Sequence, residues 1–277
     1  MDPNKTHAEI GELAQRSPAL RQREIPADVL DALSRGWIES KNLVEWLSVD
    51  RRILLGVLSV ELNIDLSPTL RALIEDREPL SPLQLSKRIA IELATIISPN
   101  DERFKSLEQH KSDVAREWGA LIVGHWESMT FARRLAWIKP FAINPNPGTR
   151  EIAWMALRAY VAQDPENAIS KLIPWTGSRN DRMRRYASEI TRPCGVWCTH
   201  IDRLKKEPHL GIEVLEPLRS DESLYVRNSV ANWLNDASKY SPDWVLDITH
   251  RWERESPTEQ TKYIVKRALR TLRKTNR

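Results

Sequence analysis

The sequence predicts an all-α protein built as a solenoid of helical hairpins, and three observations lead there. Glycine is scarce, 9 in 277 residues, too few for the tight turns of a β-rich chain. Leu, Arg, Glu and Ala, all strong helix formers, are the commonest residues. A helix–turn–helix pattern recurs at about 34 residues in the second half, the period of stacked two-helix repeats.

The bulk composition supports a packed core. Hydrophobic residues make up 41% and charged residues 29%, a globular balance. The expected organisation is one all-helical domain over 1–277, with less regular helices over 1–105 and repeats over 106–277. The polar N-terminus has no apolar stretch of signal-peptide type. No run of about 18 apolar residues is present to cross a membrane. Two cysteines, Cys194 and Cys198, are too few for a disulfide framework. A cytoplasmic monomer is expected, with no membrane partner.

In chain order, residues 1–20 are expected to be loosely ordered. Apolar positions at three- and four-residue spacing predict helices over 26–47, 51–63 and 82–97, and further helices over 106–127 and 129–140. NPNPG at 144–148 is a breaker. Then TREIAWMALRAY from 149, DRMRRYASEI from 181 and LYVRNSVANWL from 224 read alike, each an Arg followed by small and apolar residues. DPENAISKLI from 164, EPHLGIEVL from 207 and SPDWVLDITHRW from 241 form a second set, each with Pro where a helix starts. Asp164 and Ser241 are the natural N-caps. SPTEQ from 256 starts a final helix running into the tail.

The spacings agree. Arg150 to Pro165 and Arg227 to Pro242 are both 15 residues, and Pro165 to Arg184 and Pro208 to Arg227 are both 19. Arg184 to Pro208 is 24, nine more than its counterparts. The surplus falls in ITRPCGVWCTHI, residues 190–201, whose Pro193 and Gly195 predict a loop. Insertions in solenoids map to loops on one face, often the binding face. Trp197 sits there beside the basic flank Arg184, Arg185 and Arg192.

Charge is unevenly placed. Residues 178–277 carry 20 Lys and Arg against 14 Asp and Glu, whereas residues 1–177 carry 22 against 24. The last sixteen residues hold seven bases and no acid. A one-sided basic surface suits a polyanion. It also suits the helix dipole alone.

No phosphate-binding glycine loop and no paired His/Glu metal motif occurs. Cys194, Cys198 and His200 form C-x3-C-x-H, one ligand short of a structural zinc, so they read as free loop thiols and no metal is expected. The acids are more telling. Glu151 and Glu189 hold similar places on the inner helices of successive units, and Asp236 lies further along the next. Inner helices share the concave face of a solenoid, so these carboxylates are candidates to converge. Acids on helices also commonly pair with nearby bases at the surface.

RRYASEITRP resembles the Arg-Arg-Leu-Ala-Ser-Glu-Gly-Thr-Arg-Pro signature of the AlkC/AlkD-like DNA alkylation repair glycosylases, nearest the AlkC-like branch. YVRNSVANWLNDASKYSPDWVLDITHRW and KYIVKRALRTLRK resemble the next repeat and the final helix of that family. The resemblance covers roughly 110–275. It implies a HEAT-like helical-repeat solenoid that wraps double-stranded DNA and excises cationic N3- or N7-alkylated purines without a cofactor. It implies Glu151, Glu189 and Asp236 as active-site acids and Trp197 as the active-site aromatic. DNA contacts are expected from Arg184, Arg185, Arg192, Arg227, Lys239, Lys266, Arg267 and Arg270, with the protein on nucleoid DNA. Where the family pattern has Arg and Pro, this chain has Cys194 and Val196, so the loop is expected to be more mobile and to reach one phosphate fewer. The chain is also expected to work without the extra C-terminal β-sandwich of some members. The alternatives are a non-catalytic HEAT-repeat protein recognising bent or branched DNA, and a protein-binding scaffold.

Overall fold

The structure is a computed structural model that describes residues 6–75 and 79–275, all of them in helices, turns and loops. The chain divides into two compact units, Met1–Met129 with Asn144–Ala156, and Thr130–Ile143 with Leu157–Arg277.

The first unit contains α1 (His7–Gln15), α2 (Ala27–Ser34), α3 (Leu43–Ser48), α4 (Arg51–Glu61), α5 (Pro68–Glu75), α6 (Pro82–Ile96), α7 (Glu102–Glu108) and α8 (Asp113–His125). The helices expected over 51–63 and 82–97 appear as α4 and α6. The stretch expected to be loose holds α1, because Thr6 and Glu9 close a capping box around its first turn. The single helix expected over 26–47 is two. Gly36 breaks it at φ +75°, and a Cβ there would meet Leu54 Cδ1 at 2.9 Å. Likewise 106–127 splits at 109–112, where the Ser112 side chain caps α8 by accepting from the Ala115 amide. Helix α5 has no counterpart among the expected elements. The core of this unit runs along α6 and α8, with Leu85, Ile89, Leu93, Val114, Trp118 and Ile122 buried. Trp118 Nε1 donates to Ser86 Oγ at 3.2 Å, which satisfies its polar atom in that core.

The second unit contains α9 (Phe131–Ala142), α11 (Pro165–Thr176), α12 (Asp181–Ile190), α13 (Asp202–Lys206), α14 (Ile212–Leu215), α15 (Leu224–Ala237), α16 (Pro242–Glu255), α17 (Glu259–Ala268) and α18 (Leu272–Thr275). Helix α10 (Pro147–Gln163) contributes residues to both units. Asp164 caps α11 as expected, accepting from the Asn167 amide at 3.2 Å. Ser241 precedes α16 but spends its hydroxyl on the Lys205 carbonyl instead. The helix expected from 207 shortens to one α turn between two 3₁₀ turns, Pro208–Gly211 and Glu216–Leu218. Two prolines punctuate it, and Gly211 lies where a Cβ would fall 2.3 Å from Trp233 Cζ2. Trp233 is fully buried among Leu215, Leu218, Val230, Leu234 and Val245.

The repeat has a structural fingerprint. Arg116, Arg150, Arg184 and Arg227 each donate from Nη1 to the carbonyls six and five residues earlier. Each arginine thereby satisfies the backbone oxygens of the turn that enters its helix. The first two intervals are 34 residues and the third is 43. The nine extra residues belong to the inserted loop, so the repeat extends one unit earlier than the sequence pattern shows.

Candidate active site

The site grows from α12 and α15 of the second unit. Small residues let these helices approach closely: Ser188 and Ser229 are both buried, and Ser188 Oγ donates to Ser229 Oγ at 2.8 Å. Ser229 Oγ in turn donates to Glu189 Oε2 at 2.7 Å. Just beyond α12, Thr191 Oγ1 donates back to the Ala187 carbonyl and accepts from Trp233 Nε1. That contact fixes where the chain leaves the helix, and it aims Arg192 back across the gap.

Arg192 joins the two acids. Its Nη1 donates to Glu189 Oε1 at 2.6 Å, and its Nε and Nη2 donate to Asp236 Oδ2 at 3.0 and 2.8 Å. Glu189 and Asp236 are each 4% exposed. Arg185 approaches Glu189 at 3.4 Å with its guanidinium over the Tyr225 ring. Lys239 Nζ donates to Asp236 Oδ1 at 3.2 Å. Burial pushes the Glu189 carboxyl up, but the charges of Arg185 and Arg192 and the Ser229 and Arg192 hydrogen bonds outweigh it, so the net shift is down. Burial likewise opposes the Arg192 charge, and Glu189 and Asp236 more than restore it. The result is a buried pair of carboxylates, Glu189 held ionised, ringed by three cations.

Residues 191–201 form the loop that the spacing predicts, and Trp197 is 56% exposed with φ +58°. Its neighbour Val196 is exposed too, and Cys194 Sγ lies 4.0 Å from the hydroxyl of the exposed Tyr240. Both cysteines are free thiols. Among the described residues no cluster of three His, Cys, Asp or Glu has metal-binding geometry.

The other predicted residues divide by environment. Glu151 lies on the α10 portion of the first unit, where Trp154 Nε1 donates to its Oε2 at 2.8 Å. Arg184 forms a bidentate pair with Asp221 at 2.6 and 2.9 Å. Its Nη1 also donates to the Ser178 and Arg179 carbonyls of the turn, and the side chain is half-buried. Arg227 likewise donates to its turn carbonyls and flanks the Tyr263 ring. Arg185 is buried against Glu189, so its place is beside the acid and not at the surface. Lys239, Lys266, Arg267 and Arg270 are exposed. Burial, with repulsion from Arg267 and Arg192, lowers Arg270, while Asp236 pulls the other way, which places it within the field of the acid cluster.

Sequence reasoning missed Ser229, Tyr240 and Arg158. Arg158 is buried on α10 and donates to the Ile190 carbonyl at the end of α12 and to the Arg192 and Thr199 carbonyls of the loop. Its signal was available: an arginine inside the apolar run AWMALRAYVA is out of place unless it is fully paired.

Residues 121–271 match the model of a family described as DNA alkylation repair enzyme. The uncharacterized protein YhaZ of Bacillus subtilis (strain 168) is 35% identical over 185 residues, 66% of this chain and 47% of YhaZ. The chain thus spans about half the length of that curated relative. Among solved structures, the alkylpurine DNA glycosylase AlkC of Pseudomonas fluorescens, bound to DNA containing an abasic site analog, aligns at TM-score 0.65 and 28% identity. That match covers 80% of this chain and 62% of AlkC. AlkD2 of Streptococcus mutans aligns at TM-score 0.57 and 19% identity over 78% of this chain and 96% of its own, a likeness of fold. No helix among the described residues is long and apolar enough to cross a membrane. With its helical repeats and a family match over more than half its length, this chain belongs to the DNA alkylation repair enzyme family.

Proposed function

We propose that this chain is a monofunctional DNA glycosylase that releases cationic N3- or N7-alkylated purines from duplex DNA, acting as a monomer. The observation that carries the reading is the Glu189–Arg192–Asp236 bridge at the foot of a loop that exposes Trp197. An alkylated purine already bears positive charge and leaves without a general acid, so neither a metal nor an organic cofactor is required. The sugar left behind is oxocarbenium-like. Carboxylates fixed in a buried site stabilise that charge without reorganising, and one of them orients water. The exposed indole face attracts a cationic base, worth about 0.5–2 kcal/mol. Lys239, Lys266, Arg267 and Arg270 are the exposed cations for the phosphates. The name of the 28%-identical structural neighbour, and the abasic-site DNA bound to it, support the same reading.

A second reading, DNA binding without catalysis, draws on the ring of cations. Arg185, Arg192 and Lys239 outnumber the two carboxylates they contact, and that offsets the negative field an oxocarbenium needs. Incubation with methylated duplex DNA separates the two. Free 3-methyladenine or 7-methylguanine with matching abasic sites supports the glycosylase. Salt-sensitive binding with no base released supports the second reading.

A further inference from the structure

We infer that Arg158 is the positioning residue of this site, clamping both ends of the 192–199 loop and so setting where Trp197 meets the lesion base; the inference rests on the glycosylase reading. Arg158 is 3% exposed on α10. Its Nη1 donates to the Ile190 carbonyl at 2.9 Å and its Nη2 to the Arg192 carbonyl at 2.6 Å, both on the entry side of the loop. Its Nε donates to the Thr199 carbonyl at 2.9 Å on the exit side. A backbone bond from the Ile201 amide to the Pro193 carbonyl, 3.0 Å, closes the same neck.

The loop is shaped to sit on that guanidinium. A Cβ on Gly195 would fall 3.2 Å from both Arg158 Cζ and Nε and 2.1 Å from Cys198 Sγ. An added Cβ would require Cys198 Sγ to move and the Arg158 guanidinium to give way by a few tenths of an ångström. Two residues on, Trp197 holds φ +58°, a left-handed conformation that is uncommon for a bulky residue. Such strain persists only where the surroundings over-determine it. Two loop ends fixed on one rigid guanidinium fork supply that constraint. Lysine carries the same charge but is a point donor on a flexible stem and does not bridge three carbonyls at fixed angles.

The test is a double-mutant cycle. Arg158→Lys and Arg158→Met are made in wild type and in Trp197→Ala, and read by single-turnover base release and by hydrogen exchange. Exchange of the 194–201 amides, that of Ile201 included, should rise at least about tenfold in Arg158→Lys, with α15 unchanged. Base release should fall by up to about tenfold, the loss expected from removing the Trp197 ring itself. In the Trp197→Ala background, losing Arg158 should cost at most about threefold more. Multiplying losses in the double variant, or unchanged loop exchange in Arg158→Lys, overturns the inference. Arg158→Lys decides alone if Arg158→Met does not fold. Should wild type release no base, the glycosylase reading falls. The clamp is then judged by loop exchange and by affinity for duplex DNA carrying an abasic analogue, which Arg158→Lys must lower only when Trp197 is present.

Discussion

Replacing Arg192 with methionine keeps the apolar stem and deletes the guanidinium that joins Glu189 to Asp236. Three hydrogen bonds of 2.6–3.0 Å go with it. Removing one partner of a buried ion pair costs about 3–5 kcal/mol, because the other charge stays buried without compensation. Here each acid keeps a second cation, Arg185 at 3.4 Å and Lys239 at 3.2 Å, so the loss belongs at the lower end, about 3 kcal/mol. At about 2–4 °C per kcal/mol for a chain of this size, the melting temperature at pH 7 should fall by about 6–12 °C. The pH dependence adds a second check. Glu189 lies below its ordinary value of 4.5 in the folded protein. Its stabilisation is therefore present above pH 4.5 and is lost as pH falls through the lowered folded value. Without Arg192, burial gains weight against the Glu189 charge, and a protonated Glu189 needs no cation. The deficit of the variant should thus shrink as pH drops below 4.5. Thermal melts of both proteins at pH 7 and pH 4 read this directly. A deficit under about 1 kcal/mol at pH 7, or one that grows in acid, would mean that Arg192 does not hold the Glu189 carboxylate ionised.

Trp197→Ala should leave stability within about 0.5 kcal/mol, since the side chain is mostly exposed. It should slow base release roughly tenfold, which base-release kinetics and a melt check together. Substituting Lys266, Arg267 or Arg270 with alanine should weaken DNA binding across sequences and reduce the salt slope by about 0.9 per phosphate contact, measured by titration at several salt concentrations. Gly195→Ala should displace the loop through the clash with Cys198 Sγ. It should then raise exchange of the loop amides while α12 and α15 keep their protection.

The helical class was legible because its signals are local. Periodic apolar positions and N-terminal prolines name a helix wherever it packs, and Asp164 caps α11 as its sequence position requires. What misled was also physical. Gly36 and the Ser112 cap break helices whose apolar spacing runs on uninterrupted. Ser241 has an N-cap's identity, but a neighbouring carbonyl takes its hydroxyl. The inserted loop was found by arithmetic on the repeat, and its exposed tryptophan followed. The arginines were harder, because sequence does not separate an arginine that reaches phosphate from one that holds a turn. Arg184 and Arg227 hold turn carbonyls, as repeat equivalence with Arg150 implies once those contacts are seen. Glu189 and Asp236 lie 47 positions apart. Only the close approach of α12 and α15, allowed by Ser188 and Ser229, brings them to the same guanidinium.

The central claim is that Glu189 acts as a carboxylate in base release and not as structural filler. Glu189→Gln keeps the shape and the Ser229 contact while deleting the charge. Free alkylated base from methylated duplex DNA, measured for wild type and Glu189→Gln alongside a melt, tests it most directly. Wild type should release base, with the variant slowed by roughly 10²-fold or more, the loss typical of removing one preorganised electrostatic group, and still folded. Equal release by both proteins would contradict it.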